Sequence, residues 1–288
     1  MPHGGYVTAT FQQVVKKHFG TTLRKQKQPH TITLHLDFLR RTQIGLATFK
    51  VKDVKLGRQT SIVHVTLSQD GREEVVGYVT NSNIMTEEGV SYPTTWSLDP
   101  PPLPADVSKF DSGTDANWAE RKRWPFAHFR KATQQVRSMF PRNGQPKQSI
   151  IDEWLCLRNG ENWTNESIGS VVDTFPQVIE SYLLGEDPYS IEIEQRFSAK
   201  EQEQHMKGNP GFWYPTLLLN LDMKKALPEE GVRWLFVRLQ SKQIKNGRFD
   251  LEIVVLDERG DLVALSHHAC LAVSSARNVA ARRKVEKL

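Results

Sequence analysis

The sequence predicts an α+β protein built from two helix-plus-antiparallel-sheet modules within one chain. First, Tyr214 to Val273 holds four apolar runs of strand length, separated by turns at Lys245-Asn246-Gly247-Arg248, at Glu258-Arg259-Gly260 and at a longer loop, Leu227 to Gly231. Second, the stretch occurs twice. Thr31-Ile32-Thr33-Leu34-His35-Leu36-Asp37 lies over Thr216-Leu217-Leu218-Leu219-Asn220-Leu221-Asp222 without a gap. In the same order, Val54 to Arg58 lies over Ile244 to Arg248, Asp70-Gly71 over Arg259-Gly260, and Val76 to Asn81 over Val263 to His268. Third, a segment of helical periodicity precedes each copy.

Taken in order, Gly4 to Phe19 puts Val7, Phe11, Val14, Val15 and His18 on one face and Gln12, Gln13, Lys16 and Lys17 opposite, with Gly20 as the stop. The chain starts on this helix, so the first module (1–91) is read as lacking an initial strand and the sequence as beginning late. His30 to Ile84 supplies about four strands, among them Leu46 to Val54 and Thr60 to Leu67. Tyr92 to Pro104 is too rich in proline for a central strand and opens a connector (92–148) of low regularity. Trp118, Trp124, Phe126, Phe129 and Phe140 make that connector an ordered cover rather than a free linker. The second module (149–275) begins with a strand at Ile150 to Arg158 and a helix over Ser167 to Leu184, which Pro176 kinks or opens. A polar stretch with a short helix leads to the second sheet copy, and a basic tail (276–288) closes the chain.

Bulk properties narrow the function. The chain has 288 residues, 25% charged and 38% apolar, which suits a globular protein. No apolar run approaches the ~18 residues of a membrane span, and no secretory signal opens the chain. Cys156 and Cys270 give neither a disulfide framework nor zinc spacing. Basic residues cluster at Arg24 to Lys27, Arg121-Lys122-Arg123 and Arg282-Arg283-Lys284, for a net charge of +5. No nucleic-acid motif accompanies them, so they read as solvated surface or as cations for an anionic small substrate. The expected location is the cytoplasm; Glu286-Lys287-Leu288 is a poor version of the peroxisomal Ser-Lys-Leu address.

On its motifs the chain resembles the acyl-CoA thioesterase II family and its thioesterase-like relatives. His3-Gly4-Gly5-Tyr6-Val7 is similar to the opening of that family's first central helix, and Val171-Val172-Asp173-Thr174-Phe175-Pro176 to the aspartate-bearing start of its second. Tyr214-Pro215-Thr216 and Gly260-Asp261-Leu262-Val263-Ala264 are similar to two of its strand motifs. The resemblance implies a double hotdog, in which each module's sheet wraps a central helix. It also implies hydrolysis of an acyl thioester, usually an acyl-CoA, by a water held between Asp, Thr and Gln; a carrier-bound acyl or polyketide chain is a further candidate substrate. Carried over, the Asp is Asp173 and the Thr is Thr216, while the Gln position holds His268, which can also take a proton. Gly4, Gly5 and Tyr6 are then expected to bind substrate. No metal or cofactor is called for, and a homo-oligomer is compatible.

Elementary chemistry gives these residues a role without the family. Thioester hydrolysis needs a base near the water and donors where the oxyanion forms, and a helix N-terminus carries free N–H groups. Each residue has a plainer reading too: Asp173 as a helix cap, Thr216 as a β-former. His267 and His268 are adjacent on a strand and so face opposite ways, which argues against a two-histidine metal site. Gly169-Ser170 lacks the flanks of a serine-hydrolase elbow. A pocket that binds or rearranges a hydrophobic metabolite without hydrolysis is the alternative.

Overall fold

The computed structural model describes residues 2–124, 127, 130–198, 200–202, 204 and 212–274. Phe126, Phe129 and the basic tail lie outside these residues. Helix α1 (Gly4–Gly20) is followed by strands β1 (His30–Phe38), β2 (Thr48–Lys55), β3 (Ser61–Gln69) and β4 (Arg72–Ser82). Next come β5 (Trp118–Arg121), β6 (Val136–Pro141), β7 (Ile150–Leu157) and the short helices α2 (Ile168–Val171), α3 (Ile179–Leu184) and α4 (Ile191–Arg196). The chain continues through β8 (Phe212–Trp213), β9 (Thr216–Met223), β10 (Leu235–Gln240), β11 (Ile244–Lys245), β12 (Arg248–Leu256), β13 (Leu262–Leu271) and β14 (Val273–Ser274).

One sheet runs through both modules in the order β2-β3-β4-β1-β9-β13-β12-β10-β7-β6-β5. The duplication read from the sequence is visible in that order, because β4 flanks β1 as β13 flanks β9. The copies meet where β1 pairs antiparallel with β9, with His35 directly opposite Asn220. These two residues are also equivalent in the repeat, so the local two-fold passes between them. Their side chains meet across it, His35 Nδ1 to Asn220 Oδ1, at 2.7 Å.

On the inner face α1 buries Val7, Phe11, Val15 and Phe19 against the sheet, each contributing about 1.5–3 kcal/mol. Gln12, expected on the solvent face, is 2% exposed. Its amide oxygen accepts from Gly169 N–H (2.8 Å) and its amide nitrogen donates to the Asn165 carbonyl (3.2 Å). The reason is tertiary: the second module's helix packs on what looks, in sequence, like α1's outer side. The crossing is close, because a Cβ on Gly169 would lie 2.7 Å from both Gln12 Oε1 and Thr8 Cγ2 and 2.9 Å from the Ala9 nitrogen. Gly169→Ala is therefore expected to destabilise by about 1–3 kcal/mol, read as a lower denaturation midpoint at unchanged m.

Three expectations need correction. Gly20 belongs to α1, and Thr21 caps it with φ −118° rather than a left-handed glycine. The helix expected over Ser167 to Leu184 is broken into α2 and α3. Pro176 falls in the break, lacking an N–H for the ladder and biasing the residue before it away from helix. The connector, read as irregular, contributes two strands, since β6 pairs with β7 and β5 with β6. Its aromatic side chains do form a cover: Trp118, with Phe110, joins a second core of Met139, Trp154, Cys156, Trp234, Phe236 and Leu256, while Trp124 and Phe140 pack in the main core. A buried fork ties the connector across the sheet's outer face, with Arg238 Nε and Nη2 each 2.6 Å from an Asp152 oxygen and Nη1 donating to the Pro100 carbonyl.

Arg121, counted in a solvated cluster, is wholly buried; it donates to the carbonyls of Ser190 (2.8 Å) and Pro188 (3.2 Å) and to Gln202 Oε1 (2.6 Å). Glu153 shares the inner face of β7 with Ile151 and Leu155, fully buried, and neither carboxyl oxygen has a partner at good hydrogen-bond geometry. Burial raises its pKa well above the ordinary value, and the Ser138 hydroxyl beside it offsets this only in part. A carboxyl whose pKa is raised on folding leaves the protein most stable below its unfolded value, and that stability is lost as pH climbs toward the folded value. Glu153→Gln is thus expected to match the parent near about pH 4 and to become progressively more stable than it at higher pH, a divergence that thermal melts at several pH values will read.

Candidate active site

Asp173 follows α2 instead of opening a helix, and the N-terminus it meets is that of α1 from the other module. A Cβ on Gly4 would lie 2.7 Å from Asp173 Oδ2, and one on Gly5 would lie 3.0 Å from Asp173 Cβ and from Ser170 Cα. The two glycines thus provide the close approach that the sequence suggested, with Gly4 on the cavity wall and Gly5 beneath it. Tyr6 does not follow them: it is 65% exposed and lines no part of the cavity. One helical step beyond Gly5 turns its side chain away from the sheet.

The cavity, about 300 Å³, is walled by His3, Gly4 and Val7 of the α1 end and by Asp173, Phe175 and Gln177 of the helix break. Tyr214, Pro215, Thr216 and Leu217, then Leu251 and Cys270, close the sheet side, and Phe38 to Thr42 form the rim with Arg40 and Arg41. Thr216 reaches this inner side through a bulge, which pairs Cys270 with Thr216 but Ala269 with Leu218. The Cys270 thiol donates to Thr216 Oγ1 at 3.8 Å, leaving the hydroxyl proton free to be given elsewhere. Burial pushes the Cys270 thiol up to about 12, so it is not a thiolate nucleophile.

Two imidazoles flank the Asp173 carboxylate. His3 Nδ1 is 3.4 Å from Oδ2, and His268 Nδ1 is 3.8 Å from Oδ1. Neither contact has hydrogen-bond geometry, and His3 Nδ1 already accepts from Gly5 N–H (3.2 Å) as the cap of α1. The expected opposition of the histidine pair holds, with His267 exposed and His268 fully buried. His268 is not on the cavity wall; it backs Asp173 from within the sheet. Burial, only partly offset by Asp173, lowers its pKa to about 4.

Thus Asp173, Thr216 and Gly4 line one cavity, Thr216 from its sheet side, while His268 stands behind Asp173 and Tyr6 lies apart. His3 was missed as a site residue, although its position just before Gly4-Gly5 is where a helix cap belongs. A larger cavity of about 860 Å³ lies on the sheet's other face, under the segment carrying Thr94 to Asp99, and is lined by none of Asp173, Thr216 and His268. Convergent polar groups, rather than volume, make the smaller cavity the candidate site. Among the described residues, no three His, Cys, Asp or Glu side chains are grouped to hold a metal ion.

Comparison with known proteins decides the family. Residues 1–82 match the model of the acyl-CoA thioesterase N-terminal domain, and residues 99–272 that of the C-terminal domain. The chain belongs to the acyl-CoA thioesterase family. A curated relative, the thioesterase-like protein TwmA of Talaromyces wortmannii, is 36% identical to this thioesterase over 96% of the chain and 85% of its own length. Among solved structures, a thioesterase II from Thermobifida fusca is similar at 17% identity and a TM-score of 0.64, covering 94% of this chain and 86% of its own. A hot dog protein of unknown function from Alicyclobacillus acidocaldarius is similar at 15% identity and 0.65, covering 95% and 88%. These likenesses agree on the double hotdog fold, and the family makes the protein a hydrolase of acyl thioesters. Among the described residues no helix is long and apolar enough to cross a membrane.

Proposed function

We propose that this thioesterase hydrolyses an acyl-CoA or a carrier-bound acyl or polyketide thioester with a water activated by Asp173. The observation that carries the reading is the Asp173 carboxylate on the cavity wall. It sits at the N-terminus of α1 and is flanked by two histidine nitrogens without a direct hydrogen bond to either. Such a carboxylate is available to take a proton from water.

The water oxygen would attack the thioester carbon while Asp173 accepts its proton. Negative charge then builds on the carbonyl oxygen, where the Gly4 N–H at the start of α1 can receive it, the Gly5 N–H being given to His3 Nδ1. The Thr216 hydroxyl, whose oxygen accepts from Cys270, has a proton to direct at the water or the substrate. As the C–S bond breaks, the thiol leaves with the proton returned by Asp173. At the rim, Arg40 and Arg41 suit the phosphates of CoA or of a phosphopantetheine arm.

The purified chain, offered a panel of acyl-CoAs and acyl-phosphopantetheine thioesters with a free-thiol reagent, should release thiol well above background for at least one acyl class. Binding of the same compounds without thiol release from any of them would instead favour a pocket that holds a metabolite without cleaving it.

A further inference from the structure

Ser266 and His268 are two apart on β13 and so share its inner face. Ser266 has one hydroxyl proton, and it donates that proton to the backbone carbonyl of Asn220 on β9. Its oxygen can then only accept from His268 Nε2, 3.1 Å away. This assigns the imidazole proton to Nε2 and leaves a lone pair on Nδ1. Nδ1 is buried without a hydrogen-bond partner in the protein, and it faces Asp173 Oδ1 at 3.8 Å. Two acceptors facing each other need a donor between them, and a water has one proton for each. Phe175, with centroids 6.2 Å apart, and His267 on the opposite face of the strand also lie near the ring. Neither can donate to Nδ1. Burial keeps the imidazole neutral near pH 7, so it does not supply the missing proton itself.

We propose that Ser266 is a positioning residue: it locks His268 in the Nε2–H tautomer, so that Nδ1 and the Asp173 carboxylate together accept both protons of the hydrolytic water. The inference rests on the reading of Asp173 as the base. Held this way, the water keeps an oxygen lone pair for the thioester carbon. On attack, the proton facing Asp173 moves to the carboxylate and then to the departing sulfur, while the proton facing Nδ1 stays on the new carboxylic acid until it ionises. An amide oxygen of Gln would offer the same kind of acceptor as Nδ1, which is how His268 fills a Gln position without changing the reaction.

Ser266→Ala removes the acceptor for Nε2–H and lets the ring take the Nδ1–H form, which donates straight to Asp173 and displaces the water. The expected result is a fall in kcat of about 10- to 100-fold with KM nearly unchanged, and recovery in Ser266→Thr, which keeps the hydroxyl. In protein labelled with 15N in its histidine rings, the His268 signals, assigned by their loss in His268→Gln, should report a protonated Nε2 and a bare Nδ1 at about pH 6 to 8. In Ser266→Ala the two should exchange. A protonated Nδ1 in the parent, or full kcat in Ser266→Ala, overturns the proposal. The tautomer is measured without substrate, so it stands or falls separately from the base: a fully active Asp173→Asn would sink the base reading and leave the 15N result to be judged alone.

Discussion

Asp173→Asn is expected to lower kcat for thioester hydrolysis by about 100- to 10,000-fold, with KM and melting temperature close to the parent's. Asn keeps the shape of the side chain at the α1 N-terminus, so the close approach of Gly4 and Gly5 survives. What it loses is the capacity to take a proton. The new amide N–H can in addition donate to the lone pair of His268 Nδ1, so the fold should not suffer. Steady-state thiol release, compared with calorimetric melting of the same samples, separates the two effects. Parental kcat in the variant would rule Asp173 out as the base. A collapse in melting temperature would instead favour the plainer view of Asp173 as a structural residue.

Arg238→Met is expected to cost about 3–5 kcal/mol, a drop in Tm on the order of 10 °C, with much smaller effects on KM. The physical reason is what remains behind. Asp152 is 2% exposed, and in the parent its carboxylate is held by the Arg238 fork, which also reaches the Pro100 carbonyl. Even so paired, burial keeps the Asp152 pKa above its ordinary value. Without Arg238 the pKa rises further. Stability is then fullest below the unfolded carboxyl pKa and falls as pH rises toward the folded one, so the deficit of the variant should grow with pH. Replacing both partners, as Arg238→Met with Asp152→Leu, should recover most of the loss, since no charge is left buried alone. Melting curves of the single and double variants at two pH values test this; equal stability of Arg238→Met and the parent at neutral pH would contradict it.

The sequence by itself determined the duplication, the strand content of both copies, and the opposite orientation of His267 and His268. These follow from period-2 alternation and turn chemistry, which are local and survive without tertiary contacts. It also supplied Asp173, Thr216 and the Gly4-Gly5 approach as candidates, because the spacing of those motifs is a property of the chain. Other features were decided only by packing between modules. Gln12 looks solvated until α2 lies on it, and Arg121 looks like surface charge until α4 and its flanks close over it. The two strands of the connector escaped notice because their aromatic residues serve a sheet edge set by β7, far from any repeat. Asp173 was expected at the start of the second module's helix. A break around Pro176 and the two-fold between modules instead bring it to the N-terminus of α1, between His3 and His268. That meeting joins residues from both halves of the chain, brought together by the β1–β9 pairing and by the packing of α2 on α1.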